Sequence, residues 1–295
     1  MSQNMKDKIC LVTGATSGIG KETAAALASQ GATVVITGRR QARIEAAVQE
    51  ISAKTGNPNV HSLQADFANL EEVRIMADSF KERFQRLDVL INNAGAYYNR
   101  RHESLNEVEL TFAVNHLAPF LLTGLLLDTL IASSPARIIN TTSGAHHYDK
   151  LDFDNLGFNK GYFGLKAYAR SKLANILFTY ELARRLGSKG ITVNAVHPGQ
   201  VTTDIWRTNF SIFGPLVQWL VSLNALTAAE GAQPLIHLAS SPQVEGLTGQ
   251  YFNRMKAEPS SAITYDEKLA QRLWSESERL TSFRYPEPLS SDLTG

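Results

Sequence analysis

The stretch Ile9-Cys10-Leu11-Val12-Thr13-Gly14-Ala15-Thr16-Ser17-Gly18-Ile19-Gly20 decides how this chain of 295 residues is read. Its opening residues form a short apolar run, the pattern of a strand buried on both faces of a parallel sheet. The glycine turn follows, then an amphipathic segment at about 21–30 and a β-branched run, Thr33-Val34-Val35-Ile36-Thr37. Strand, glycine turn, helix, strand is the order of a dinucleotide-binding unit. Glycines permit the tight turn and let the backbone approach a pyrophosphate at the helix N-terminus, whose dipole favours negative charge. The spacing is G-x-x-x-G-x-G rather than G-x-G-x-x-G, which predicts a longer loop between the first two glycines. A merely glycine-rich turn is the plainer alternative, and the flanking strand and helix argue against it.

Where the second strand ends, the chain reads Gly38-Arg39-Arg40. An NAD site usually offers a carboxylate there to the ribose 2′-hydroxyl, whereas a guanidinium suits a 2′-phosphate through charge and forked donors. NADP(H) is therefore expected, with Arg39 as the contact and Lys21 adding charge; solvated surface cations are the alternative. Much later, Tyr168-Ala169-Arg170-Ser171-Lys172 sets a phenol and an ammonium one helical turn apart on one face. A phenol with a pKa of ~10 is a poor proton shuttle at neutral pH, and a fixed cation beside it is expected to bring that value down. Such a pair also arises by chance on solvated helices, so it gains meaning from its company.

That company resembles the short-chain dehydrogenase/reductase superfamily over residues 8–252. The run from Thr13 matches the cofactor loop, which makes Gly14, Thr16, Ser17, Gly18, Ile19 and Gly20 candidate cofactor contacts. Asp66, after the strand Val60-His61-Ser62-Leu63-Gln64, matches the adenine-contacting acid, with Phe67 beside it. Asn92-Asn93-Ala94-Gly95 matches the motif that borders the cofactor through Asn93, Ala94 and Gly95. Asn115, Ser143, Tyr168 and Lys172 match the catalytic four, and Pro198, Gly199, Val201 and Thr203 match the segment that closes over the nicotinamide end. A closer likeness is to the retinol dehydrogenase-like branch, carried by Ser171-Lys172-Leu173-Ala174-Asn175-Ile176-Leu177-Phe178, by Ala145-His146-His147 and by Arg272-Leu273-Trp274-Ser275-Glu276-Ser277-Glu278.

The resemblance implies an NADP(H)-dependent oxidoreductase that interconverts a lipophilic alcohol and its aldehyde or ketone, retinoid-like or another hydrophobic carbonyl. Tyr168 would be the general acid/base, and Ser143 would hold the reacting oxygen. Lys172 would lower the tyrosine pKa and touch the nicotinamide ribose, and Asn115 would hold a water behind it. Two alternatives stand beside this. A protochlorophyllide-reductase-like enzyme is associated with a cysteine near its substrate, whereas the sole cysteine here is Cys10 in the first strand. An NADP(H)-binding sensor or scaffold without turnover often lacks the tyrosine or lysine, and this chain has both.

At 43% hydrophobic residues the chain can bury a large core, and the regular spacing of βα units predicts one domain over residues 1–295. Strands are expected near 88–92, 136–142, 191–196 and 249–252, giving an α/β doubly wound parallel sheet, the Rossmann fold, with the site at the strands' C-terminal edge. A net charge of +1 gives no sign of nucleic acid as a partner. One cysteine and two adjacent histidines, His146 and His147, make no metal set. About eight mostly polar residues precede the first strand, too few for a signal peptide or anchor, so a cytoplasmic protein is expected. Many vertebrate relatives in the branch carry an anchor there. The apolar run 210–221 is broken by Gly214-Pro215 and too short to span a bilayer. With its surroundings, about 204–226, it is expected to be a helical lid over a lipophilic pocket, peripheral membrane contact and plain core packing being the alternatives. A C-terminal extension, about 256–295, should hold a helix near 265–280. The superfamily commonly dimerises through helices around 107–130 and 168–186, which this extension could block, so a homodimer or a monomer is expected.

Overall fold

The computed structural model describes residues 4–201 and 226–286. Seven parallel strands, β1 (Ile9–Val12), β2 (Thr33–Gly38), β3 (Val60–Gln64), β4 (Val89–Asn92), β5 (Ala136–Thr141), β6 (Ile191–His197) and β7 (Gln250–Asn253), lie in the order 3-2-1-4-5-6-7. A two-residue strand not foreseen from sequence, β8 (Lys256–Ala257), adds antiparallel to β7. The order reverses between β1 and β4, so a crevice opens at the C-terminal ends of those strands.

Alternation along the strands builds two apolar layers. Leu11, Val35, Leu90 and Ile138 point to one face, and Cys10, Val12, Val34, Ile36, Val89, Ile91 and Ile139 point to the other. Both faces are covered, which is why these strands read as unbroken apolar runs. The second layer is closed by α1 (Gly18–Ser29) and α2 (Gln41–Thr55). The first is closed by α3 (Leu70–Arg83), by α4 (Leu110–Phe112), α5 (Ala118–Leu125) and α6 (Leu127–Ala132), and by the long α7 (Gly164–Leu186). After the undescribed stretch, α8 (Ala228–Ser240) packs beside α1, and α9 (Glu267–Thr281) lies on α7.

α9 and the residues after it occupy the outward faces of α5 and α7. Trp274 stands edge-on to Phe120 at 5.2 Å and tilted against Phe178 at 5.9 Å, and Tyr285 packs on Trp274 at 4.5 Å. The Tyr285 hydroxyl donates to the Phe120 carbonyl at 2.7 Å. A Cβ at Gly124 would meet the Phe283 ring, so that ring lies directly on the α5 backbone. The expected lid lies outside the described residues, but its flanks meet: Val201 bridges Leu226, whose amide donates to Gln200. Among the described residues no helix is long and apolar enough to cross a membrane.

Candidate active site

The glycine loop leaves β1 and is tied to β4. Thr13 Oγ1 accepts from the Asn93 and Ala94 amides, and Asn93 Nδ2 donates to the Thr13 carbonyl at 2.9 Å. Gly14 has φ 64°, and a Cβ there would sit 2.8 Å from Ala94 Cα. At Gly20 it would sit 2.5 Å from Asn93 Nδ2 and 2.6 Å from the Gly14 carbonyl oxygen. The loop thus lies against β4 as closely as backbone allows, and α1 begins at Gly18, three residues before the sequence suggested. Ser17 caps α1 without a side-chain hydrogen bond. The first amides of the helix therefore face the crevice without an acceptor from their own cap, a fit for a pyrophosphate. Ile19 and Val201 both lie against Gly231, which brings the chain after β6 beside the start of α1. Thr203 lies outside the described residues.

Arg39 is exposed at the end of β2, and its charge and that of Asp66 both act on the Tyr98 phenol. Burial raises the Tyr98 pKa, and Arg39 opposes that rise. Asp66 Oδ1 accepts from the Ala68 amide, so this acid holds its own turn, and Phe67 is buried beside it. Lys21 differs from expectation: its ammonium is paired with Glu50 at 2.9 Å, on α2.

The second cluster lies at the ends of β5 and α7. Tyr168 and Lys172 share one face of α7, with the Lys172 Nζ 5.6 Å from the phenol ring centre. Ser143, the residue that caps the 3-10 turn Gly144–Tyr148, acts on the Tyr168 hydroxyl and lowers its pKa. Tyr97, missed from sequence although it lies two positions after the Asn-Asn-Ala-Gly motif, stands edge-on to Tyr168 at 6.0 Å. The expected fall in the tyrosine pKa does not occur in this state. Burial drives the Tyr168 pKa up to about 12, only partly opposed by Ser143, and drives that of Lys172 down to about 8. Desolvation disfavours both charged forms, and the ammonium donates to the Thr141 carbonyl at 3.1 Å rather than to the phenol.

Asn115 sits in a π-helical turn, Ala113–Leu117, that interrupts the run from α4 to α5. Such turns recur at functional sites. Its Oδ1 accepts from the Ala96 amide at 2.7 Å, and its Nδ2 donates to the Ala96 carbonyl and to Ser171 Oγ. Both donors are engaged, which leaves acceptor capacity on Oδ1. A Cβ at Gly95 would lie 3.5 Å from that oxygen and 3.6 Å from Lys172 Nζ, so Gly95 keeps open the space the two share.

Comparisons with known proteins agree with this geometry. The short chain dehydrogenase family model matches residues 8–211. Retinol dehydrogenase 13 of Homo sapiens is 41% identical over 288 residues, which cover 95% of this chain and 86% of the relative. Retinol dehydrogenase 11 of Homo sapiens is 42% identical over 90% of this chain and 83% of its own length. Among solved structures, an uncharacterized protein from Mycobacterium Paratuberculosis superposes with TM-score 0.79 at 28% identity, covering 97% of this chain and 99% of that one. A short chain dehydrogenase from Burkholderia cenocepacia J2315 in complex with NADP gives 0.67 at 32% identity, covering 85% and 97%.

Proposed function

The chain belongs to the short-chain dehydrogenase/reductase superfamily and to its retinol dehydrogenase-like branch, and from that premise we propose that it interconverts a lipophilic alcohol and its aldehyde or ketone with NADP(H). The observation that carries the reading is the Tyr168 phenol, held protonated by burial, under the influence of Ser143 and one helical turn from Lys172. NADP(H), when bound, supplies or takes up the hydride. The glycine loop and the α1 N-terminus would hold its pyrophosphate, and Arg39 its 2′-phosphate.

In the reducing direction, Tyr168 gives its proton to the substrate oxygen, as a group that is protonated at neutral pH can. Ser143 donates to the same oxygen and fixes the phenol's direction. Lys172, when charged, favours the phenolate left behind, and the Thr141 carbonyl sets where its Nζ sits. Asn115 anchors the chain after β4 to α7 through Ala96 and Ser171. Tyr97 gives the reacting end an aromatic wall, which suits an apolar substrate. The test is a panel of lipophilic aldehydes, ketones and alcohols with NADPH or NADP⁺, followed by the near-ultraviolet absorbance of the reduced nicotinamide. Turnover with NADPH preferred over NADH is expected. Tight NADPH binding with no turnover of any compound would mark a sensor instead.

A further inference from the structure

The π-helical turn that carries Asn115 also carries His116, and the two side chains diverge. His116 is fully buried between α7 and α9, with Nδ1 at 3.3 Å from Asn175 Oδ1 and Nε2 at 2.9 Å from Ser277 Oγ. Asn175 Nδ2 donates to the Thr141 carbonyl at 3.3 Å, the same oxygen that receives Lys172 Nζ at 3.1 Å. These bonds fix the protons of Asn175 and of His116 Nδ1. Thr141 O can only accept, so Asn175 must turn its amide nitrogen to it and its oxygen to His116. His116 must then donate from Nδ1. Burial pushes its pKa down to about 4, so the ring is neutral at ordinary pH and Nε2 is an acceptor for Ser277 Oγ, whose one proton it shares with the Leu273 carbonyl at 2.8 Å.

The same logic holds at a second point. His146 is buried with Nδ1 at 2.8 Å from the Ser143 carbonyl, and its Nε2 accepts from the Ser261 amide at 3.2 Å, so it too carries its proton on Nδ1. Ser277 and Ser261 both belong to the C-terminal extension. At both points that extension supplies a donor to a buried histidine, and the histidine donates toward the end of β5, where Lys172 and Ser143 are held.

We propose that the C-terminal extension is a working part of the active site: Ser277 holds the His116 ring through Nε2, and His116, through Asn175 and the Thr141 carbonyl, fixes the position of Lys172. Ser277, His116 and Asn175 are positioning residues, and the inference rests on the redox reading given above. Two measurements on the full chain test it. Nitrogen-15 imidazole spectra of the cofactor-free protein should give the Nδ1–H pattern for His116, and Ser277→Ala should shift the Nε2 resonance while the proton stays on Nδ1. In turnover, Ser277→Ala should lower kcat at least fivefold with KM and NADPH affinity within twofold, and Ser277→Thr, which keeps the hydroxyl, should restore it.

A residue that only fills space predicts the reverse order, since threonine adds a methyl group to a packed site and alanine does not. Should Ser277→Thr lower the melting temperature, His116→Asn against His116→Leu asks the same question. Asparagine keeps a donor toward Asn175 and should turn over at least fivefold faster than leucine. An Nε2–H pattern in the unmutated protein, or kcat values that do not follow the hydroxyl or the donor, overturns the proposal. If the unmutated protein turns over none of the carbonyls, the redox reading falls, and the imidazole spectra alone decide whether Ser277 holds His116 through Nε2.

Discussion

At the scale of single residues, the phenol that donates the proton is the most testable group. Tyr168→Phe keeps the ring and its edge contact with Tyr97 but deletes the acid, so kcat should fall ~10²–10⁴-fold with NADPH affinity unchanged. A mutant with near-normal kcat would refute the role. Arg39→Asp should weaken NADPH far more than NADH, because it sets a like charge against the 2′-phosphate. Comparing kcat/KM for the two cofactors decides this. With Lys21 already paired to Glu50, an unchanged ratio would point to Arg40. The candidate residues were legible in sequence because each sits in a short motif with fixed neighbours. Their electrostatics were not. Spacing puts Lys172 beside Tyr168 but does not tell that the Thr141 carbonyl accepts its hydrogen bond or that burial acts on both groups.

At the scale of elements, the junction of the glycine loop with β4 should tolerate least. Gly20→Ala drives a methyl group toward the Gly14 carbonyl and Asn93, so the loop must shift away from β4. NADPH affinity should drop at least tenfold by fluorescence titration, with the melting temperature lowered as well; unchanged affinity would contradict the close approach. Strands were readable from sequence because both faces of the sheet are covered and the runs are apolar throughout. The π-helical turn was not. It arises where Asn115 and His116 both find buried partners, at Ala96, Ser171, Asn175 and Ser277, and those partners come from three separate parts of the chain. β8 escaped notice for a simpler reason: two exposed residues carry no pattern.

At the scale of the whole molecule, α9 closes the apolar layer that would otherwise face water on α5 and α7. Trp274→Ala should cost roughly 3–5 kcal/mol in denaturant unfolding, the usual range for emptying a buried tryptophan site. Because α9 already covers that face, light scattering should find a monomer, and a dimer would mean that another surface associates. Stability should also depend on acidity. His116 and His197 both have folded pKa values near 4, against 6.5 for an ordinary histidine, chiefly because burial disfavours the charged ring. Between those values the unfolded chain binds protons that the folded chain refuses, so stability is complete above about pH 6.5 and falls as pH drops toward 4. For His116 alone the loss approaches roughly 3 kcal/mol. A denaturant midpoint that stays constant from pH 7 to pH 4.5 would contradict this.

The clasp of Tyr285 on the Phe120 carbonyl also bears on how the chain is made. Synthesis runs from the N-terminus, and domains begin to fold as they emerge. All seven parallel strands precede residue 254, so the sheet can assemble while the outer faces of α5 and α7 are still bare. During that interval Phe120 and Phe178 offer an apolar surface to any chaperone or neighbouring chain. A ribosome stalled after β7 would hold a nascent protein with its sheet formed and its stickiest side uncovered.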